Sequence, residues 1–468
     1  MSTASVDPPT RVAIIGAGPA GFFAADALLR QDAVPIEVDL FERLPVPFGL
    51  VRSGVAPDHQ KIKNVTKTFE RTAQSGQFRF LGNVHVGTDV SIAELSECYD
   101  MLVVSTGSAT DRHMNIPGEG WTGSHPATAF VGWYNAHPDF RDAQFSFDTE
   151  RAVVVGVGNV ALDVARVLLK DPTELSATDI ASYAVDALRT SQVREVVLLG
   201  RRGPAQAAFG YKELAEVLEL PDVRVVLDAD QVRQAADQLD ILDSGSKKNV
   251  ELMLQALDAH KPNAPKTLRI EFFASPLELH AEEARVCAVE VERTQLVADG
   301  TGELRSHGTG EHFRIETGLV FRSIGYAGVP LEGVPFDDRR KLIPSVDGRV
   351  TDGAGGAVLP GLYVTGWIRR GPTGIIGTNK ADAKSVSALL LEDAKQGIRL
   401  TAAPKGRECV DAMLAERGVS VTNFDDWTML DQLEVAEGAR LGKVREKFAS
   451  VREMLLAVRN AEAERATD

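Results

Sequence analysis

Cysteine is scarce and scattered in this chain. Cys98, Cys287 and Cys409 are its only thiols among 468 residues, and no C-x-x-C pair is present. That argues against a redox dithiol, an iron–sulfur cluster built on the chain, and a disulfide framework. Three scattered thiols suit a reducing cytoplasm, which is the expected location. Positive charge is also in deficit. There are 51 Lys and Arg against 66 Asp and Glu, a net charge of −15 that disfavours a general nucleic-acid-binding role. An acidic protein can still carry a local basic dock. No apolar run reaches the roughly 18 residues that read as a membrane span. Residues 1–10 are mostly polar or small and lack the apolar stretch of a secretory signal. Lipidation motifs are lacking, no metal site is expected, and no short repeat or low-complexity tract occurs.

What is present is ordinary globular material, 44% hydrophobic and 25% charged. At roughly 100–200 residues per domain the length suits two to four domains. The clearest pattern comes first. An apolar strand, Arg11 to Ile15, runs into Gly16-Ala17-Gly18-Pro19-Ala20-Gly21; a helical pattern covers Phe22 to Leu29; a second strand, Ile36 to Phe41, ends at Glu42. Gly16, Gly18 and Gly21 fill G-x-G-x-x-G. The first glycine permits a tight turn, the second lets the backbone approach a pyrophosphate, and the third lets helix and strand pack closely. The helix amino terminus then offers unpaired N–H groups and a partial positive charge to phosphate. Glu42 stands where an acid accepts a hydrogen bond from a ribose 2′-hydroxyl and repels a 2′-phosphate. The motif near the amino terminus is typical of FAD-binding domains, although NAD could use the same site.

The same grammar recurs. Arg151 to Val155 reads as a strand, and Gly156-Val157-Gly158-Asn159-Val160-Ala161 opens a helix through Leu169. An insert with helical character runs from Pro172 to Leu188, and the strand Glu195 to Leu199 ends at Gly200-Arg201-Arg202. Where the first motif has Glu42, this one has two arginines, forked cations suited to a 2′-phosphate. The second site therefore prefers NADP(H) to NAD(H); the alternative is a solvated arginine pair at a strand end. Asp163 and Arg166, one helical turn apart, read as a structural pair.

Further strands end in glycine: Met101 to Val104 before Ser105-Thr106-Gly107, Leu319 to Phe321 before Ser323-Ile324-Gly325, and Leu362 to Val364 before Thr365-Gly366-Trp367. The turn from Trp367 to Asn379 precedes a helix predicted over Gly377 to Leu391. Main-chain N–H groups of Gly374, Ile375 and Ile376 at that helix start can face the pyrimidine edge of a flavin, which gains negative charge on reduction. Trp367 could lie against the ring system; a surface loop with a packed Trp is the other reading. The tail from Lys405 to Asp468 is predicted mostly helical, with no nucleotide motif.

Longer stretches resemble one family. Leu44 to His59 (L-P-V-P-F-G-L-V-R-S-G-V-A-P-D-H), Phe130 to Asn135, Gly158 to Arg166, Gly200 to Pro204 and Gly366 to Gly377 resemble the adrenodoxin-reductase-type ferredoxin–NADP reductases, the bacterial, actinobacterial-like members above all. The resemblance runs from about Arg11 into the tail. It implies two doubly wound Rossmann-like α/β domains: an NADP domain over 113–329 inserted into a discontinuous FAD domain made of 1–112 and 330–468, the latter with the helical tail. It implies FAD near Ala20, Glu42, Leu50, Val86, Arg112, Trp367 and Gly374 to Ile376, and NADP near Val157, Gly158, Asn159, Val160, Arg201, Arg202, Glu213 and Gly374. It places His59 and Glu216 close to the nicotinamide–flavin contact. Two residues depart from the pattern. Val157 stands where relatives carry Gln or Asn, and Ala215 where some carry a partner-docking Arg.

Hydride transfer between such cofactors needs position and electrostatics rather than a protein nucleophile. His59 is the candidate for tuning or proton exchange, or else a residue that fixes its loop by hydrogen bonds. Glu213 and Glu216, three apart on one helix face, are either site residues or a solvated acidic face. The resemblance implies a ferredoxin-type iron–sulfur protein as acceptor, indirectly serving a cytochrome P450. An acidic acceptor requires a basic dock, for which Lys61, Lys63 and Lys67, Lys247 and Lys248, and Arg369 and Arg370 are candidates. An NADPH-dependent flavin monooxygenase and a non-catalytic dinucleotide-binding protein remain alternatives.

Overall fold

The computed structural model describes residues 8–259 and 261–465. Most of residues 1–10, where no secretory signal is expected, and residues 466–468 of the tail predicted mostly helical lie outside the described residues. Those that are described fall into two units. One holds the residues up to 55, 59–110 and 326 onward; the other holds 56–58 and 111–325.

In the first unit the strands carry continuous apolar runs because both faces of a parallel sheet are covered. The sheet order is Ser345–Val346, Arg349–Thr351, Val358–Val364, Met101–Val104, Thr10–Ile15, Ile36–Phe41, Phe78–Leu81. The last five are parallel, and the first two add on antiparallel. Alternate side chains of one strand feed two cores. Val12 and Ile14 pack with Phe22, Leu28, Trp427 and Leu430; Ala13 and Ile15 pack with Phe41, Leu102 and Val410. The tail forms three helices, Arg407–Glu416, Phe424–Leu441 and Val451–Arg465, which cover both faces.

The second unit has six parallel strands in the order Ser124–Pro126, Leu319–Arg322, Arg151–Val155, Glu195–Gly200, Lys266–Phe272, Val223–Leu227. Each unit is thus a doubly wound α/β layer structure, as the sequence implies. Two features go beyond the expectation. The insert expected to have helical character holds two helices, Pro172–Ser176 and Ser182–Arg189, parted where the Ala181 N–H donates to the Tyr134 carbonyl (2.9 Å). An antiparallel sheet of Ala274–Glu282, Arg285–Ala298 and Leu304–Glu316 had no counterpart in the sequence reading. Its signal is an alternation that buries Val286 and Ala288 and then shifts by one residue to bury Val289 and Val291.

Among the described residues no helix is long and apolar enough to cross a membrane. One half-buried base gives the second unit a pH dependence. His125 lies 4.8 Å from the Phe145 ring, and burial first and Arg322 second lower its pKa from 6.5 to about 4. The unfolded chain takes up a proton there that the native state refuses, so this stability is present above pH 6.5 and is lost as pH falls towards 4. Replacing His125 with Phe should flatten the decline of the urea midpoint over that window; an unchanged slope would contradict the assignment.

Candidate cofactor sites

The first glycine turn is shaped by contacts that only glycine permits. Gly16 has φ +104°, and a Cβ there would lie 2.7 Å from the Ser105 carbonyl oxygen. A Cβ at position 21 would lie 2.1 Å from the Gly16 carbonyl oxygen. Gly18 differs: it is extended, and a Cβ would meet nothing within 4 Å. The space in front of it is open. Gly18 caps the helix Pro19–Leu29 with no side-chain hydrogen bond, so the first N–H groups face that space. Ser105, which sequence reading noted only as a strand end, donates its hydroxyl to the carbonyls of Ile15 (3.0 Å) and Gly16 (2.9 Å).

Glu42 ends the strand Ile36–Phe41 and accepts from the Ala17 N–H (3.0 Å) and the Leu44 N–H (3.1 Å). Burial raises its pKa, opposed by those N–H groups and by Arg43. The carboxylate thus fixes the glycine turn. Phe48 donates its N–H to Ala17 (2.8 Å), and a Cβ on Gly49 would lie 3.0 Å from Gly18 Cα. This holds Leu50, at the start of the short helix Leu50–Ser53, beside the turn. Val86 is buried in the core on the Ile15 face.

The turn at Trp367 reaches the same place. A Cβ on Gly366 (φ +78°) would come within 2.6 Å of Ala20 Cβ. The Trp367 indole Nε1 is buried without a hydrogen-bond partner, an orphan that a ligand acceptor would satisfy. Gly374 has φ +80°, Ile375 is 68% exposed, and the long helix Ile376–Lys395 begins there. Asp382 on that helix was missed by sequence reading. It is buried and accepts from the Thr365 hydroxyl (2.8 Å) and the Gly366 N–H (2.6 Å), and pairs with Arg369 and Arg370. Its signal is an acid on the apolar face of a predicted helix. The open space at Gly18, the uncapped start of Pro19–Leu29 and the orphan indole fit an anionic dinucleotide with a polar ring edge, whereas the Ile375 N–H donates to the Thr378 hydroxyl (3.2 Å).

In the second unit Gly156 has φ +131°, and a Cβ there would lie 2.2 Å from the Ser323 carbonyl oxygen. Gly158, like Gly18, faces open space and caps its helix, Asn159–Leu169, without a side chain. Val160 is in the first turn, and Ala161 replaces the third glycine in full burial. Val157 packs against Gly200, and the Asn159 side chain accepts from the Gly210 N–H (2.6 Å). Arg201 and Arg202 follow the strand Glu195–Gly200 and are exposed. Their carbonyls are used, Arg201 by Thr294 and Ser306 and Arg202 by Phe273. Among the described residues neither guanidinium is engaged in an ion pair. Two adjacent, uncommitted forked cations suit a 2′-phosphate.

Glu213 lies in the first turn of the helix Tyr211–Leu218, its carboxylate against Gly210. Glu216, on the same helix, accepts from Arg166 (3.1 Å). Arg166 is 2% exposed and is also held by Asp163 (2.9 Å) and Asp58 (3.0 Å), while Lys170 joins Asp58 (3.2 Å). The Asp163–Arg166 pair is therefore structural, and Glu216 is tied into its network. Removing the guanidinium leaves three carboxylates facing one another. An Arg166→Met variant should lose about 3–5 kcal/mol in denaturant unfolding; a loss under 1 kcal/mol (~0–1, the range of a surface pair) would contradict this.

His59 is half-buried and begins the short helix Gln60–Lys63 in the first unit. Arg112 is exposed in the second unit, its N–H donating to Gly325 (3.0 Å). Of the candidate basic docks, Arg369 and Arg370 turn inward onto Asp382. Lys248 stacks on the Tyr211 ring at 4.8 Å, whereas Lys61 and Lys67 are exposed.

The sequence profile of the pyridine nucleotide-disulphide oxidoreductases matches residues 10–256. The chain is 43% identical to the NADPH-ferredoxin reductase FprA of Mycobacterium tuberculosis (strain ATCC 25618 / H37Rv), over 96% of this chain and 98% of that protein. It is 42% identical to the mitochondrial NADPH:adrenodoxin oxidoreductase of Homo sapiens, over 95% and 91% respectively. The solved structure of Mycobacterium tuberculosis FprA in complex with NADPH superposes with a TM-score of 0.90 at 42% identity, covering 96% of this chain and all of that one (100%).

Proposed function

Since the chain belongs to the pyridine nucleotide-disulphide oxidoreductase family, as one of its adrenodoxin-reductase-type ferredoxin–NADP reductases, we propose that it takes hydride from NADPH and delivers single electrons to a ferredoxin-type iron–sulfur protein. The observation that carries the reading is an asymmetry. The second strand of one glycine motif ends in a half-buried carboxylate, Glu42, and that of the other in two exposed, uncommitted arginines, Arg201 and Arg202. One site repels a 2′-phosphate and the other attracts it, so one chain sorts FAD from NADPH.

FAD, when bound, would supply the redox chemistry, two-electron uptake of hydride and one-electron release. The residues supply binding and field. Gly16, Gly18, Ala20 and Gly21 present the helix start to pyrophosphate, and Glu42 receives the ribose. Leu50, Trp367, Gly374, Ile375 and Ile376 would frame the isoalloxazine, with Val86 in the core near the FAD, and the helix dipole of Ile376–Lys395 would favour negative charge at the pyrimidine edge. The resemblance adds Arg112 to the residues near FAD. Val157, Gly158, Asn159 and Val160 cradle the NADPH pyrophosphate, with Arg201 and Arg202 on the 2′-phosphate and Glu213 beside the same loop. His59 holds or exchanges a proton near the flavin. Glu216 acts through Arg166, keeping the helix of the NADP loop in register. Lys61 and Lys67 form the dock for an acidic acceptor, which in turn feeds a cytochrome P450, and the cytoplasm is the compartment that three scattered thiols suit.

The test is turnover with NADPH and a purified [2Fe–2S] or [4Fe–4S] ferredoxin, following cluster absorbance. Rapid cluster reduction that weakens as salt rises is expected. NADPH consumption without cluster reduction, accompanied by a hydroxylated product, would replace the reading with a monooxygenase.

A further inference from the structure

The C-terminal tail carries no nucleotide motif, yet it grips the segment that builds the flavin turn. Glu434, on the helix Phe424–Leu441, has a side chain with no exposure at all. Its carboxylate accepts from both terminal nitrogens of Arg52, one of them at 2.8 Å. It accepts as well from the Phe448 N–H (3.0 Å) and from Arg445 (3.3 Å). Lys447, also buried, donates its ammonium to the Arg52 carbonyl (3.1 Å). The Arg52 guanidinium lies 5.2 Å from the Trp427 ring centre, and Trp427 meets Phe48 edge-on at 5.4 Å.

Arg52 is one link from the glycine turn. Its N–H donates to the Gly49 carbonyl (3.1 Å), Gly49 abuts Gly18, and Phe48 holds Ala17 by its N–H. Both ends of this chain of contacts belong to the same unit. The tail therefore grips Phe48-Gly49-Leu50 through a bidentate, desolvated ion pair, and that tripeptide abuts the turn at Ala17 and Gly18. Packing alone would have been served by an apolar residue at 434. A carboxylate with every oxygen committed fixes direction as well as distance.

We propose that Glu434 is a positioning residue for FAD, setting the placement of Gly49 and Leu50 against the Gly16–Gly21 turn through Arg52. The inference rests on the flavin reading of that turn. A loosened tail would then cost cofactor affinity before it costs the fold.

The experiment is flavin binding to the full-length apoprotein, by quenching of FAD fluorescence, at a temperature where every variant is folded by circular dichroism. Glu434→Gln is expected to raise the FAD Kd at least about tenfold, which is 1.4 kcal/mol. Arg52→Met should do the same, and the double variant should be no worse than Arg52→Met alone, because the two act as one unit. Val410→Ala, which hollows the core on the opposite sheet face, is the control: it should lower the unfolding midpoint while leaving Kd within about twofold, under 0.5 kcal/mol by the same conversion. Should Glu434→Gln fail to fold, Lys447→Met removes the contact to the Arg52 carbonyl and is expected to raise Kd likewise. An unchanged Kd in the folded variants, or an equal rise in Val410→Ala, overturns the inference alone. Wild-type apoprotein that takes up no FAD overturns it together with the flavin reading.

Discussion

Reversing the charge at Arg201 and Arg202 should raise KM for NADPH by about 10²–10⁴ while leaving that for NADH within threefold or so. Each charge-assisted contact to the 2′-phosphate contributes roughly 1.5–3 kcal/mol, and about 1.4 kcal/mol is tenfold. The two side chains are exposed and uncommitted, so the double variant, Arg201→Glu with Arg202→Glu, should keep its thermal midpoint. Only the phosphate distinguishes the two nucleotides, so the loss must be selective. Steady-state kinetics with both nucleotides decides it. Equal losses for NADPH and NADH would mean the arginines serve the fold or a common part of the nucleotide, and the site assignment would fail.

The second large effect separates glycines that the fold needs from glycines that the ligand needs. Gly21→Ala drives a methyl to 2.1 Å from the Gly16 carbonyl oxygen and 2.9 Å from the Ser105 hydroxyl. Backbone must move, and overpacking of this kind typically costs about 1–3 kcal/mol or more. The apoprotein itself should be destabilised and flavin content should collapse. Gly18→Ala adds the same methyl to empty space at a backbone conformation any residue adopts. Its apoprotein should melt at the wild-type temperature while FAD affinity falls about 10- to 100-fold, because the methyl occupies the approach of the pyrophosphate. Equilibrium dialysis against FAD, paired with calorimetry of the apoprotein, reads both. A Gly18→Ala protein with full flavin affinity would remove the pyrophosphate from that space.

The two strand–glycine turn–helix motifs were legible because their signals are local. A strand, a glycine turn, a helix and a charged strand end fit within about thirty residues, and the parallel-sheet strands announce themselves as short apolar runs bounded by glycine. The strand Ile36–Phe41 and the strand Arg151–Val155 stand where the sequence places them. What escaped is long-range. Arg166 finds Asp58 across 108 positions, and Arg52 finds Glu434 across 382. No periodicity encodes such a partner. Arg369 and Arg370 looked like a surface dock because the sequence does not say which way a helix turns, and Asp382 draws them in. The antiparallel sheet that includes Arg285–Ala298 escaped for another reason. Its middle strand breaks strict alternation where Ala288 and Val289 are both buried, and Leu304–Glu316 is almost wholly exposed, so neither strand carries the dense apolar run that marks the parallel ones.

The central claim is that one chain seats FAD on the Gly16–Gly21 turn and NADPH on the Gly156–Ala161 turn so that hydride passes between them. The direct measurement is an anaerobic titration of the purified, flavin-loaded protein with NADPH, followed at the flavin absorbance band near 450 nm, a wavelength on the order of that of any oxidised flavin. About one equivalent of NADPH per flavin should bleach the band within seconds, and NADH should do so far more weakly. A band that stays coloured with excess NADPH would contradict the account.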